Sequence, residues 1–147
     1  MRKINTTRFG EIEVEEKSIV TFEHGIPAFE DEREFAILPY DEESPYLFLQ
    51  SAATPELAFL MTDPFVFFPD YTFELDDVNM EALGVTNDAD VLVCSLITIP
   101  PTGVKNMTTN LLAPIVINQS NMKARQVVLE KTNYTTKHRL FQDKKEE

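Results

Sequence analysis

The sequence predicts a mostly β fold: one small, single-domain, barrel-like fold of short strands with one or two short helices. Three observations carry this. Short apolar runs recur along the chain, each bounded by Pro, Gly, Asn, Asp or Ser. Nine Pro and four Gly punctuate the chain and leave little room for long helices. One segment alone, Asp76–Leu83, carries both a helix start signal and a stop signal. At 147 residues the chain fits one domain. That domain is placed at 1–141, and 142–147 are polar and expected to fray.

The elements follow in order. Arg2–Thr7 reads as a strand, and Arg8–Gly10 as a turn. In Glu11–Glu15, Ile12 and Val14 alternate with three glutamates, giving one apolar and one acidic face. Ile19–Phe22 is a short strand, and Gly25 frees the backbone in the turn Glu23–Pro27. Ala28–Arg33 has room for one helical turn. Phe35–Leu38, Tyr46–Gln50 and Ala58–Thr62 are strand-length apolar runs. Two prolines bracket Phe65, Phe67 and Phe68, so Asp63–Tyr71 is expected to be extended and irregular. Asp76–Leu83 is the best helix candidate, with Asp76 or Asp77 able to cap its start and Gly84 to end it. After a turn at Asn87–Asp90, the continuous apolar run Asp90–Ile99 suggests a strand buried on both faces. Met107–Leu112 and Ile115–Ile117 follow as one strand or two, broken at Pro114. Gln126–Leu129 is expected to close the sheet, and Asn121–Lys131 allows a helix instead.

Charge narrows the function. The chain carries 13 basic and 25 acidic residues, a net charge of −12. The acidity belongs to the body. Residues 1–120 hold six basic and 21 acidic side chains, or −15, whereas 121–147 are net +3. Direct nucleic-acid binding is disfavoured, because phosphate contacts need basic groups. Two readings of the acidity stand side by side: solubility, and steering toward a basic partner. No apolar stretch has the ~20 residues of a membrane helix. The N-terminus has no apolar signal core, so a cytoplasmic location is expected. On the same ground the Asn-x-Ser/Thr triplets at Asn5, Asn106, Asn118 and Asn133 are read as turn and strand residues.

Reactive constellations are missing. Cys94 is the only cysteine and sits in an apolar run, where a buried inert thiol is expected. His24 and His138 have no second ligand at metal-binding spacing. There is no phosphate-binding glycine loop and no nucleophile elbow. No catalytic residue, metal or cofactor is assigned, and the chain is not expected to be an enzyme. Two segments are candidates for partner binding. Glu11, Glu13, Glu15 and Glu16 form either a solvated, edge-protecting face or an acidic docking face. Phe67, Phe68, Asp70 and Tyr71, with Phe65 before them, form either core filling or an exposed apolar patch.

Four segments in order resemble one family. Phe22–Glu30 is similar to an F-x-x-G-I-P-G-F-E signature, and Pro45–Ser51 to P-F-x-x-L-Q-S. Asp63–Tyr71 is similar to D-P-x-x-x-x-P-D-Y. Asn110–Asn118, followed by Gln126, resembles N-L-x-A-P-I-V-I-N. The family is FliW, the bacterial flagellar assembly factors, and the match runs from about Phe9 to Tyr134. One departure is Ala28, where the family usually has Gly; a positive φ there would strain the turn. The resemblance implies partners: the basic, dimeric RNA-binding repressor CsrA, whose hold on flagellin mRNA is relieved, and flagellin itself. It implies antagonism noncompetitive with RNA, and a monomer when unbound. The motifs themselves look structural. Rival readings are a small-ligand or carbohydrate-binding β-module and an unrecognised small β-barrel enzyme.

Overall fold

The computed structural model describes residues 1–141 apart from Glu42 and Lys131, and the backbone alone at Asp88. Residues 142–147, expected to fray, lie outside the described residues. The chain opens with an antiparallel hairpin, β1 (Arg2–Thr6) and β2 (Gly10–Val14), in register Ile4↔Ile12. A 3-10 turn at Glu16–Ser18 leads into β3 (Ile19–Phe22). Then come β4 (Glu34–Pro39), β5 (Tyr46–Ser51), β6 (Ala58–Thr62) and β7 (Val91–Thr98), each antiparallel to the one before. β8 (Thr108–Thr109) pairs antiparallel with the end of β7, and β11 (His138–Arg139) pairs with β8. β9 (Ile115–Asn118) pairs with β7 on one side and β10 (Lys123–Gln126) on the other. β10 then runs parallel to β3, which closes a barrel of seven strands.

Period-two patterning sorts the side chains. Val20, Phe22, Phe35, Leu49, Met61, Ile115 and Ile117 point into the barrel and are fully buried. Their neighbours point outward. Ile19 and Ala36 meet Ile4 and Val14 of the hairpin, which lies over the outside of β3 and β4. Val116 enters a second core with Tyr71, Leu83, Leu111, Val127 and Leu129. β9 is thus buried on both faces. Each large side chain so buried contributes roughly 1.5–3 kcal/mol.

Four local expectations are corrected. β7 is buried at Cys94 and Ser95, but Val91–Val93 are only half-buried and Ile99 is exposed. Continuous apolarity there reflects a strand bordering a groove. Pro64–Phe67 form a helical turn, α1, rather than an extended run. Asp63 accepts the Phe65 N–H at 2.9 Å, and Pro64 sits at N1, where its fixed φ suits a helix start. Residues 28–33 form successive turns and no helix. Ala28, at φ 74°, breaks helical geometry there. The closing strand is Lys123–Gln126, earlier than Gln126–Leu129, and no helix forms over the described residues 121–130. Val127 and Leu129 instead donate to Pro114 O and Leu112 O as their side chains fill the second core. The helix α2 (Asp77–Leu83) forms as expected. Asp76 accepts from the Asn79 N–H at 2.9 Å, and Gly84 ends it at φ 69°.

Candidate partner-binding surface

Most of the motif residues hold the fold together. Gly25, at φ 70°, packs so closely on Glu30 that a Cβ would strike the Glu30 backbone. Ile26 and Phe29 bridge across the turn, and Glu30 accepts the Ala28 N–H at 3.2 Å. Glu32 ties this loop to the β5–β6 corner, accepting from Ser51 Oγ at 2.5 Å and Thr54 Oγ1 at 2.6 Å. Those two hydroxyls hold its carboxyl below the usual range. Buried Gln50 donates to carbonyls of the same corner, among them Ser51 and Leu57. Tyr71 buries its hydroxyl against Leu111 O at 2.7 Å, and burial pushes its pKa up. Asn118 donates to Leu83 O at 2.9 Å, locking α2 onto the barrel. Cys94 is buried, which pushes its thiol up to about 12, with Asp63 adding to the shift. It is therefore a thiol at neutral pH.

The glutamate face is exposed as the alternation implies, but it is not a bare acidic field. Glu11 and Glu13 share the outer hairpin face with Asn5 and Lys3, their cross-strand partners. Glu15 lies 3.6 Å from Lys17 Nζ. Arg2 binds Glu16 at 3.0 Å and Glu34 at 2.8 Å, joining the hairpin to β4. Three basic side chains thus offset this face locally.

The aromatic segment splits. Tyr71 is core, packed 4.7 Å from the Tyr134 ring. Phe67 is half-buried between Tyr46 and Phe141, and Phe68 lies against His138. Phe65 and Val66 are exposed, and Asp70 is exposed beside them. The structure does not bring Glu11–Glu16 and this segment into one site.

Beside Phe65 runs a groove of about 720 Å³. Asp63, Phe65, Tyr71–Leu75, Met80 and Val91–Val93 line it. Its walls are aromatic and aliphatic, and Asp63 and Glu74 add negative charge. From Glu34 to Val104 the sequence holds 13 acidic residues and no Lys, Arg or His. The whole groove is cut from that stretch. Sequence reasoning missed Phe73, Glu74, Leu75, Met80 and Val91–Val93. The missing cations over those 71 residues were the available signal. On the opposite charge balance, Lys123 pairs with Glu23 at 3.1 Å, with His24 and Arg125 lining the same small pocket.

Among the described residues, no helix is long and apolar enough to cross a membrane, and no cluster of three metal-ligating side chains occurs.

The comparisons agree with one another. The family model described as FliW protein matches residues 3–140. A flagellar assembly factor FliW of Geobacillus kaustophilus is 46% identical over 142 residues, covering 97% of this chain and 97% of the relative. That of Bacillus subtilis is 45% identical, covering 92% and 94%. A crystal structure of the flagellar assembly factor FliW superposes with a TM-score of 0.89 at 45% identity, over 97% of this chain and 99% of that one. With this barrel, these motif contacts and these relatives, the chain belongs to the FliW family of flagellar assembly factors.

Proposed function

We propose that the chain acts in the cytoplasm as a protein-binding regulator with two partners. One is a basic, CsrA-type RNA-binding repressor, whose hold on flagellin mRNA it relieves. The other is flagellin, which couples that relief to filament assembly. It acts as a monomer when unbound, without cofactor, catalysis or direct nucleic-acid contact. The observation that carries this reading is the apolar groove built wholly from a stretch with no cation. Such a surface favours a partner that presents Lys or Arg around an apolar contact. A docked body of this charge also repels incoming phosphates. Screening limits that effect to about 8 Å at physiological salt, so the acidic surface must sit close to the RNA path.

Co-purification of the chain with the repressor and with flagellin, with and without leader RNA, tests the assignment. Each protein is expected to be retained. Retention of neither removes the assignment.

Glu11, Glu13, Glu15 and Glu16 remain the proposed second contact for the repressor. Reversing all four to Lys is expected to weaken repressor binding about tenfold or more at low salt, with less effect at high salt. Unchanged binding and unchanged RNA exclusion would show that this face is solvated only.

A further inference from the structure

The barrel wall has a gap in its hydrogen bonding, and the groove lies along it. β6 and β7 pair only at Met61↔Leu96 and Thr62↔Ser95. Continuing that register sets Pro64 opposite Val93. Proline has no N–H to give. The chain turns into α1 at that point, and Pro64 O accepts the Phe68 N–H at 2.8 Å.

On the other side, β7 pairs with β9 from Val91↔Asn118 to Cys94↔Ile115. The Gln119 N–H donates to Asp90 O at 2.8 Å, which sets the phase of this ladder. Antiparallel strands exchange bonds at alternate residues. Asp90, Leu92 and Cys94 therefore bond toward β9. Val91 and Val93 turn their N–H and C=O groups the other way, into the groove, where no strand covers them among the described residues. Phe73, Glu74 and Leu75 face that edge across the groove, in a segment without strand pairing.

We propose that this groove receives an extended peptide segment in which Lys or Arg alternates with apolar residues, and that the segment adds to the free edge of β7 as an extra strand. Its main chain bonds to Val91 and Val93. Its apolar side chains lie against Phe65, Phe73 and Met80, and its cations meet Asp63 and Glu74. The cation requirement comes from the groove's charge, since its lining holds Asp63 and Glu74 and no Lys, Arg or His. The proposal rests on reading the chain as a protein-binding factor and adds the mode of binding.

The test titrates the isotope-labelled full chain with a synthetic heptapeptide of alternating lysine and valine. Amide exchange at Val91 and Val93 is expected to slow by about tenfold or more at saturation. A peptide N-methylated at alternate amides is expected to bind about tenfold more weakly, because it loses the main-chain bonds. Glu74→Lys, at an exposed position, is expected to weaken the lysine peptide roughly three- to tenfold. The proposal is overturned if the two amides stay unprotected, if the methylated peptide binds equally well, or if a glutamate–valine peptide binds as well as the lysine one. Protection that instead appears with rising concentration of the chain alone would make a second copy the occupant, and overturn it too. If the peptide protects both amides while neither repressor nor flagellin co-purifies, the partner assignment fails and the strand site stands. Co-purification of both, with no peptide protection, sinks the strand site alone.

Discussion

Ala28 holds φ 74° in a turn where the resembling motif carries glycine. A Cβ in the left-handed region costs roughly 1–2 kcal/mol, partly offset by the smaller unfolded-state entropy of alanine. Ala28→Gly is therefore expected to stabilise the fold by about 0.5–1 kcal/mol, raising the thermal midpoint by a few degrees. An unchanged or lower midpoint contradicts the strain argument. Gly25 is the opposite case, since its missing Cβ makes room for the Glu30 backbone. Gly25→Ala should destabilise by about 2 kcal/mol or more in a denaturant titration. His138 gives a pH dependence. Its Nε2 accepts the Thr135 N–H at 2.8 Å, and burial holds its pKa below the ordinary imidazole value. The folded state thus resists protonation more than the unfolded chain does. This contribution is complete above the unfolded value of about 6.5 and is lost as pH falls through the lowered folded one. Acidification should therefore lower the protection of the Thr135 amide, its exchange taken relative to the unstructured rate at each pH; the Thr135 carbonyl also takes the Leu111 and Leu112 N–H groups. In His138→Phe that pH dependence of the protection should disappear.

At the scale of elements, the corner β6–α1 separates core from surface within one aromatic run. Tyr71→Phe removes a buried hydroxyl and leaves Leu111 O without that donor, at about 1–3 kcal/mol of stability. Phe65→Ala touches an exposed ring and should leave the thermal midpoint nearly unchanged while weakening partner binding. Equal stability losses in both variants would place Phe65 in the core. This corner also shows how far the sequence could be read. β2, β3 to β6 and α2 were legible because period-two alternation, bounding turns and Asp76/Gly84 caps act locally. α1 was not, because two prolines and three phenylalanines signal extension just as an Asp-Pro cap signals a helix start. The half-buried edge of β7 was not legible either. Val91–Val93 look like core in sequence, and their exposure arises from Pro64 ending a neighbouring strand far away in the chain. The groove was hidden for the same reason, since residues near 65, 73, 80 and 92 meet only in the folded barrel.

Across the whole molecule, charge is arranged in regions. The hairpin sets its glutamates beside Arg2, Lys3 and Lys17, whereas the groove lining carries acids alone. That asymmetry underlies the proposed preference for a basic, RNA-binding partner. It also makes the mechanism measurable, because a net charge of −12 brought to the repressor must be felt by bound RNA if the docking surface lies near it. The most direct measurement follows flagellin leader RNA bound to the purified repressor while this chain is titrated in at physiological salt. The chain is expected to join the repressor, with bound RNA falling as it does so. RNA that stays fully bound at saturating chain would contradict this mechanism.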